Sequence, residues 1–266
     1  MRKVLVALLL MLGIHAMADD INLWQKSTLN AIVQRGELRV GLDPGYMPFE
    51  MKDKKGKLIG FDIDIARAMA KGMGVKLVIV PTAWDGIIAG LLAGKYDIII
   101  AGMTITQKRN LQVSFATPYI SVGQTLLAQK KFANKTWRDL DKPQYTIVTK
   151  IGTTGEIVAK KMFKHAKVRT FDSQSDAAQE VINGKADAFI YDKPANAIFY
   201  ATKGKGKIVH LDHDLTYEPL GFAIKQGDPD FINWLDNFLN QIKNDGLYQK
   251  MYNKWFNDSA WQKRVL

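Results

Sequence analysis

The sequence predicts an α/β protein built as two equivalent halves, each a mainly parallel sheet flanked by helices. Three observations lead there. Short apolar, β-branched runs alternate with amphipathic helical stretches, the order that sets parallel strands between helical layers. Leu92-Ala-Gly-Lys-Tyr-Asp-Ile-Ile-Ile is echoed by Ile182-Asn-Gly-Lys-Ala-Asp-Ala-Phe-Ile, each closing a helix with Gly-Lys and entering a strand through Asp. Cysteine is absent, so disulfides and thiolate chemistry are excluded and packing must supply the stability, which a chain of 266 residues can do.

The chain opens with Met-Arg-Lys, an apolar run from Val4 to Ile14, and His-Ala-Met-Ala before Asp19-Asp20. A basic start, an apolar run too short to span a bilayer and a small-x-small end predict a signal peptide over residues 1–18, cleaved after Ala18. No cysteine follows, which excludes lipid attachment there, so a soluble exported protein is expected. The formal charge of +11 falls to +9 when Arg2 and Lys3 leave. The remaining lysines sit in scattered glycine-flanked turns, such as Lys52 to Lys57 and Lys203 to Lys207, and not in a stripe that would suit nucleic acid.

Leu23 to Gln34 has helical spacing at Leu29, Ile32 and Val33, with Gly36 past its end. Leu38 to Leu42 is a strand that ends in the loop Asp43-Pro-Gly-Tyr46-Met-Pro-Phe. After a hairpin tip at Lys52 to Gly56, helix, strand and helix follow from Phe61, Val75 and Trp84. The grammar restarts with strands at Tyr145 to Lys150, Lys167 to Phe171 and Ala188 to Tyr191, separated by helices from Gly155 and Ser175 and followed by one from Pro194. Asp228 to Phe256 is helical, broken at Asn244-Asp-Gly.

Candidate site residues lie where these strands end, the position at which open α/β sheets bind ligands. Asp97 to Tyr119 starts as a strand, turns at Gly102 and presents Thr104, Thr106 and Arg109, a guanidinium placed either in solvent or against a ligand carboxylate. Gly152-Thr-Thr-Gly-Glu precedes a helix, so Thr153 or Thr154 is either its N-cap or part of an anion-binding turn, and Glu156 complements the helix dipole. Asp192 either caps the helix after it or projects to meet a cation, and with Arg109 it would match a zwitterion. Tyr46 and Trp84 are either packing groups or a cation-attracting wall. His210 and His213 form the sole metal-like pair and lack a third ligand nearby, so neither metal nor cofactor is expected.

Leu38-Arg-Val-Gly-Leu-Asp-Pro-Gly-Tyr-Met-Pro-Phe-Glu, Gly60-Phe-Asp-Ile-Asp-Ile-Ala, Ala101-Gly-Met-Thr-Ile-Thr-Gln-Lys-Arg, Phe115-Ala-Thr-Pro-Tyr, Gly152-Thr-Thr-Gly-Glu and Asp245-Gly-Leu-Tyr through Lys254-Trp-Phe span the whole mature chain. In these stretches the chain resembles the periplasmic polar amino-acid-binding proteins of bacterial ABC importers, solute-binding protein family 3. The resemblance implies a two-lobe periplasmic-binding-protein fold with two hinge crossovers, near Ile120 to Gln124 and Thr216 to Pro219. Lobe 1 would comprise residues 19–121 and 217–266, and lobe 2 residues 122–216.

It also implies that Arg109 clamps the ligand α-carboxylate with Gly102, Thr104 and Thr154, and that Asp192 receives the α-ammonium. Asp43, Tyr46 and Trp84 would line the side-chain pocket. The implied partners are an amino acid and a membrane permease, with a monomeric receptor in the periplasm and no nucleic acid. Ala101-Gly102 stands where basic-amino-acid binders have a Ser pair and is closer to the glutamine-type pattern; Asp43 could pair with a ligand ammonium or guanidinium or accept a hydrogen bond from an amide, and together with the two aromatics it favours a lysine or arginine side chain. Cyclohexadienyl dehydratases resemble the same family and place a general acid where Glu156 stands, but they have Gly-Lys where this chain has Gly123-Gln124.

Overall fold

The computed structural model describes residues 27–265. The expected signal peptide, 1–18, lies outside the described residues. Among the described residues no helix is long and apolar enough to cross a membrane.

The first half opens with α1 (Thr28–Arg35) and β1 (Glu37–Leu42), then a β2 (Met51–Lys52) and β3 (Leu58–Ile59) hairpin. Helix α2 (Phe61–Met73) and β4 (Lys76–Pro81) follow, then a short turn of 3₁₀-helix at Trp84–Gly86, α3 (Ile87–Leu92) and β5 (Ile98–Ile99). A single helical turn, α4 (Gln107–Asn110), leads to β6 (Ser114–Phe115) and β7 (Ile120–Val122). The second half runs β8 (Gln124–Gln129), α5 (Trp137–Leu140), β9 (Thr146–Lys150), α6 (Thr154–Met162), β10 (Lys167–Phe171), α7 (Gln174–Ile182), β11 (Ala188–Asp192), α8 (Lys193–Phe199) and β12 (Ile208–Leu211). The chain then returns through β13 (Glu218–Leu220) and β14 (Ala223–Ile224) to α9 (Pro229–Asn244), α10 (Leu247–Tyr252) and α11 (Gln262–Val265).

Two five-stranded sheets result, ordered β4-β1-β5-β14-β6 and β10-β9-β11-β8-β12. In each, four strands run in one direction and one is reversed, β14 in the first sheet and β8 in the second, so each sheet is mainly parallel as expected. The reversed strand lies just outside the βαβ repeats and carries the sheet's last strand on its far side, β6 beyond β14 and β12 beyond β8. Between the sheets, β7 and β13 pair antiparallel, Ile120 with Leu220 and Val122 with Glu218. The returning strand also holds the loop after β5: Ile105 N–H donates to Pro219 C=O at 2.8 Å and Gly221 N–H to Met103 C=O at 3.0 Å.

Apolar periodicity locates most of the core. Ile63, Ile65, Ala66 and Met69 of α2 are fully buried beneath the first sheet. Phe231, Leu235, Phe238, Leu239 and Ile242 of α9 make one buried stripe. Val33 departs from its expected place: Ile32 is buried but Val33 is 53% exposed, because α1 is covered on a narrower face than its apolar residues would allow.

Asp228 joins the start of α1 to the start of α9. Its carboxylate caps α9 by accepting from Phe231 N–H at 3.0 Å, and it also accepts from Ser27 Oγ and from Thr28 N–H at the start of α1. Asp228→Ala is expected to lower stability by about 2–3 kcal/mol, a lost cap plus stranded donors at a site 8% exposed. A fall in the urea midpoint at unchanged m-value is the corresponding measurement.

Candidate functional site

The strands of both sheets end at one cavity lined by residues of both halves. All eight residues singled out in the sequence line it: Asp43, Tyr46, Trp84, Gly102, Thr104 and Arg109 from the first sheet's side, Thr154 and Asp192 from the second's. Each arrives at the end of a strand, Asp43 after β1, Gly102 after β5, Thr154 after β9 and Asp192 closing β11.

Arg109 owes its position to a short helical turn. Thr106 caps α4 by accepting from Arg109 N–H, and the guanidinium folds back to donate to Thr104 C=O at 2.8 Å and, across the cleft, to Gly152 C=O at 3.3 Å. It lies 5.3 Å over the Trp84 ring, whose Nε1 donates to the same Gly152 C=O at 2.9 Å. Burial pulls the Arg109 pKa down while Glu218 and Asp192 push it back up, so the group is a charged donor with anion-binding capacity in a half-dry cleft.

Asp192 is the N-terminal flanking residue of α8, yet its side chain makes no cap hydrogen bond. It accepts instead from Tyr46 O–H and Gln124 Nε2 inside the cavity. Burial pushes its pKa up to about 7 and Glu218 adds to that, while the Tyr46 bond, Arg109 and Gln124 restrain the rise. A carboxylate held so close to neutrality gains from any ammonium brought to it. Tyr46, in turn, stacks on Phe49 at 4.5 Å and meets Tyr191 edge-on at 5.6 Å, an aromatic wall that crosses between the halves.

Gly102 makes room for that wall. Its φ is +55°, and a Cβ there would stand 2.2 Å from Tyr46 Cε1. Gly102→Ala therefore meets both backbone strain and a rigid ring; affinity for a ligand held in this cavity is expected to fall by about tenfold or more as Tyr46 is displaced, measurable by calorimetric titration.

Thr153 is the N-cap of α6, accepting from Glu156 N–H. Thr154 points inward, 3.4 Å from Thr104 Oγ1 and accepting from Gln124 Nε2 at 3.3 Å. Glu156 is turned away. Its Oε2 accepts from Gly152 N–H at 2.7 Å and its Oε1 from Lys160, and it borders an outer groove instead of the cavity. Partial burial raises its pKa, but the Lys160 and Gly152 bonds outweigh it and hold the carboxyl below its usual value, the opposite of what a general acid needs. His210 Nε2 lies 2.9 Å from Thr125 Oγ1, and among the described residues no group of three metal-ligating side chains occurs.

Four lining residues were not singled out in the sequence: Glu50, Gln124, Lys150 and Tyr191. Lys150, 8% exposed at its side chain, pairs with Asp43 across the cleft. It is the last residue of β9, so the strand-end rule that selected the other positions also applies to it. Gln124 begins a strand the βαβ pattern does not include, and nothing local distinguishes it.

The model of bacterial extracellular solute-binding proteins, family 3, matches residues 38–258. A protein of Wolinella succinogenes DSM 1740, provisionally described as the binding component of an ABC transporter and solved with lysine, is 61% identical; the match covers 86% of this chain and 99% of that one, with a TM-score of 0.84. The ancestral amino-acid-binding protein AncCDT-1, a precursor of cyclohexadienyl dehydratase, is 50% identical over 86% of this chain and 100% of its own, with a TM-score of 0.82. The cyclohexadienyl dehydratase of Pseudomonas aeruginosa (strain PAO1) is 27% identical over 87% of each chain. With the family model matching most of its length and the strand-end cavity set between two sheets, the chain belongs to the bacterial extracellular solute-binding proteins, family 3.

Proposed function

We propose that the protein is a periplasmic receptor that captures a cationic L-amino acid, lysine foremost, between two lobes and delivers it to the permease of an ABC importer. The observation that carries this is that Arg109 and Asp192, brought from the two sheets, line one cavity together with Asp43. Arg109 would take the α-carboxylate together with the Gly102–Thr104 turn and Thr154, and Asp192 the α-ammonium. Asp43, Tyr46 and Trp84 would receive the side chain, the aromatics attracting its charge.

Lysine bound to the 61% identical Wolinella protein supports this ligand, as does the description of AncCDT-1 as a cationic amino-acid solute-binding protein. In this account lobe 1 is residues 19–121 and 217–266, lobe 2 is residues 122–216, and the β7–β13 ribbon is the hinge about which they close. The receptor is monomeric and reaches the periplasm after loss of residues 1–18.

Glu156 gives a dehydratase role no support, since it is ionised, paired to Lys160 and outside the cavity. Calorimetric titration with the common amino acids is expected to give one site per chain, with lysine or arginine tightest. Glu156→Gln is expected to leave that affinity within about twofold, since its carboxylate bonds only Gly152 N–H and Lys160, neither of which lines the cavity. Turnover of prephenate or arogenate by the purified protein, lost in Glu156→Gln, would overturn the assignment.

A further inference from the structure

Asp192 stands where an aspartate ordinarily caps a helix, yet it does not cap α8. Its backbone has the extended conformation of a capping residue, φ −61° and ψ 134°, from which a carboxylate reaches the free N–H groups of the first turn. The side chain goes to Tyr46 and Gln124 instead. Pro194 is one reason. A capping side chain accepts from the N–H of the second or third helical residue, and the second residue of α8 is Pro194, which has no N–H.

Asn196 supplies the other. It is the fourth residue of α8, fully buried, and its side chain turns back onto the two strands that carry Gln124 and Asp192. Nδ2 donates to Tyr191 C=O at 3.1 Å, to Thr125 C=O at 3.1 Å and to Thr125 Oγ1 at 3.0 Å. Tyr191 pairs with Thr125 across β11 and β8, and the next pair is Asp192 with Gln124. One amide group thus ties both strands to the helix at the last rung before the cavity. Side chains alternate along a strand, so Gln124 lines the cavity while Thr125 faces α8. Thr125 Oγ1 also lies 2.9 Å from His210 Nε2, which extends the brace to β12. Asn196 itself does not line the cavity.

We propose that Asn196 is a positioning residue for the ligand's α-ammonium: it fixes the ends of β11 and β8 so that Asp192 meets Gln124 inside the cavity, and with Pro194 it keeps Asp192 off the start of its own helix. The inference rests on Asp192 as the ammonium acceptor, assigned above. A carboxylate that first had to leave a cap would bind its ligand about fivefold more weakly, the equivalent of one ordinary cap. Arg109 is held by Thr104 C=O and Gly152 C=O, outside this brace, so the carboxylate end of the ligand is unaffected.

The test is lysine calorimetry between about pH 6.5 and about pH 8 on wild type, Asn196→Leu and Pro194→Ala, with the urea midpoint of each. Tyr46 from the loop after β1, Arg109 from α4, Gln124 from β8 and Glu218 from β13 face Asp192. His210 has Asp212 and Lys193 beside it, and burial pushes its pKa down, so the brace keeps one protonation state over this range. Leucine keeps the branched shape of asparagine without the donor, and alanine returns an N–H to the second position of α8. Asn196→Leu is expected to bind lysine about tenfold more weakly, and Pro194→Ala about threefold to fivefold. In both, the fall in affinity as pH drops through about 7 should shrink, because a carboxylate resting on a helix N-terminus stays ionised there. The urea midpoint of Pro194→Ala should match wild type, a cap gained against a proline lost. Weaker binding at unchanged stability is an outcome that general damage to the fold does not produce.

Wild-type lysine affinity in a folded Asn196→Leu overturns the proposal, as does weaker binding in either variant with the acid fall intact, which reports loosened packing. Should Asn196→Leu fail to fold, Pro194→Ala decides, and affinity equal to wild type in it overturns the proposal. A wild type that binds lysine with no fall through about pH 7 removes Asp192 as the ammonium acceptor, and one that binds no lysine removes the cationic-ligand reading. The inference goes with either, whereas failure in the variants alone leaves both readings standing.

Discussion

Replacing Arg109 with alanine is expected to weaken amino-acid binding by about thirty- to several-thousand-fold, irrespective of the ligand's side chain. The group is held by Thr104 C=O, Gly152 C=O and the Trp84 ring in a cleft that water only partly reaches, so its charge is expressed at low effective dielectric. Removing it strands the ligand carboxylate in that cleft, which costs about 2–5 kcal/mol. Arg109→Lys should recover little of this, because a point charge does not reproduce the planar fork. Calorimetry on both variants gives the values, and unchanged affinity in Arg109→Ala would remove the carboxylate clamp from the account.

Asp192→Asn is expected to cost a comparable amount above neutrality and, in addition, to flatten the pH profile. In the free protein burial holds the Asp192 pKa at about 7, above its unfolded value, so protons compete with the ligand ammonium below that pH. Lysine affinity of the wild type should therefore fall as pH drops through about 7, by up to tenfold per unit from this group. The stability term has the opposite sign. A carboxyl whose folded pKa is raised contributes stability at acid pH that is lost as pH rises through about 7. The free protein thus gives up stability over the range in which its ligand affinity grows, and Asp192→Asn should show less of both trends.

The sequence makes the βαβ part of each half legible because strands and crossover helices have different apolar periods, and Ile98, Ile147 and Ile190 fall on buried strands accordingly. The strand ends were equally legible as a set: Asp43, Gly102, Arg109, Thr154 and Asp192 come from four separate segments and share one cavity. What sequence reasoning missed has a common cause. β8, β12 and β14 join their sheets by antiparallel pairing with strands distant along the chain, and β14 comprises only Ala223 and Ile224, too short for any period to register. Gln124 reaches the cavity on one such strand. Glu50 was unreadable for a different reason: it reaches the cavity from the loop after β1, where no periodicity or strand end marks it. Two-sided residues such as Asp192 and Glu156 were open between capping and cleft, and the structure separates them, Asp192 facing inward without a cap bond and Glu156 bonded to its own helix start.

The central claim is that Arg109 and Asp192 grip the two ends of one amino acid between the lobes. A crystal structure of the mature protein grown with lysine tests it most directly. The account predicts a single lysine in the cavity, its carboxylate within about 3 Å of the Arg109 guanidinium and its α-ammonium on Asp192, with the side chain running past Tyr46 toward Asp43 and Glu50. Lysine bound elsewhere, or held in the cavity with neither Arg109 nor Asp192 in contact, would contradict it.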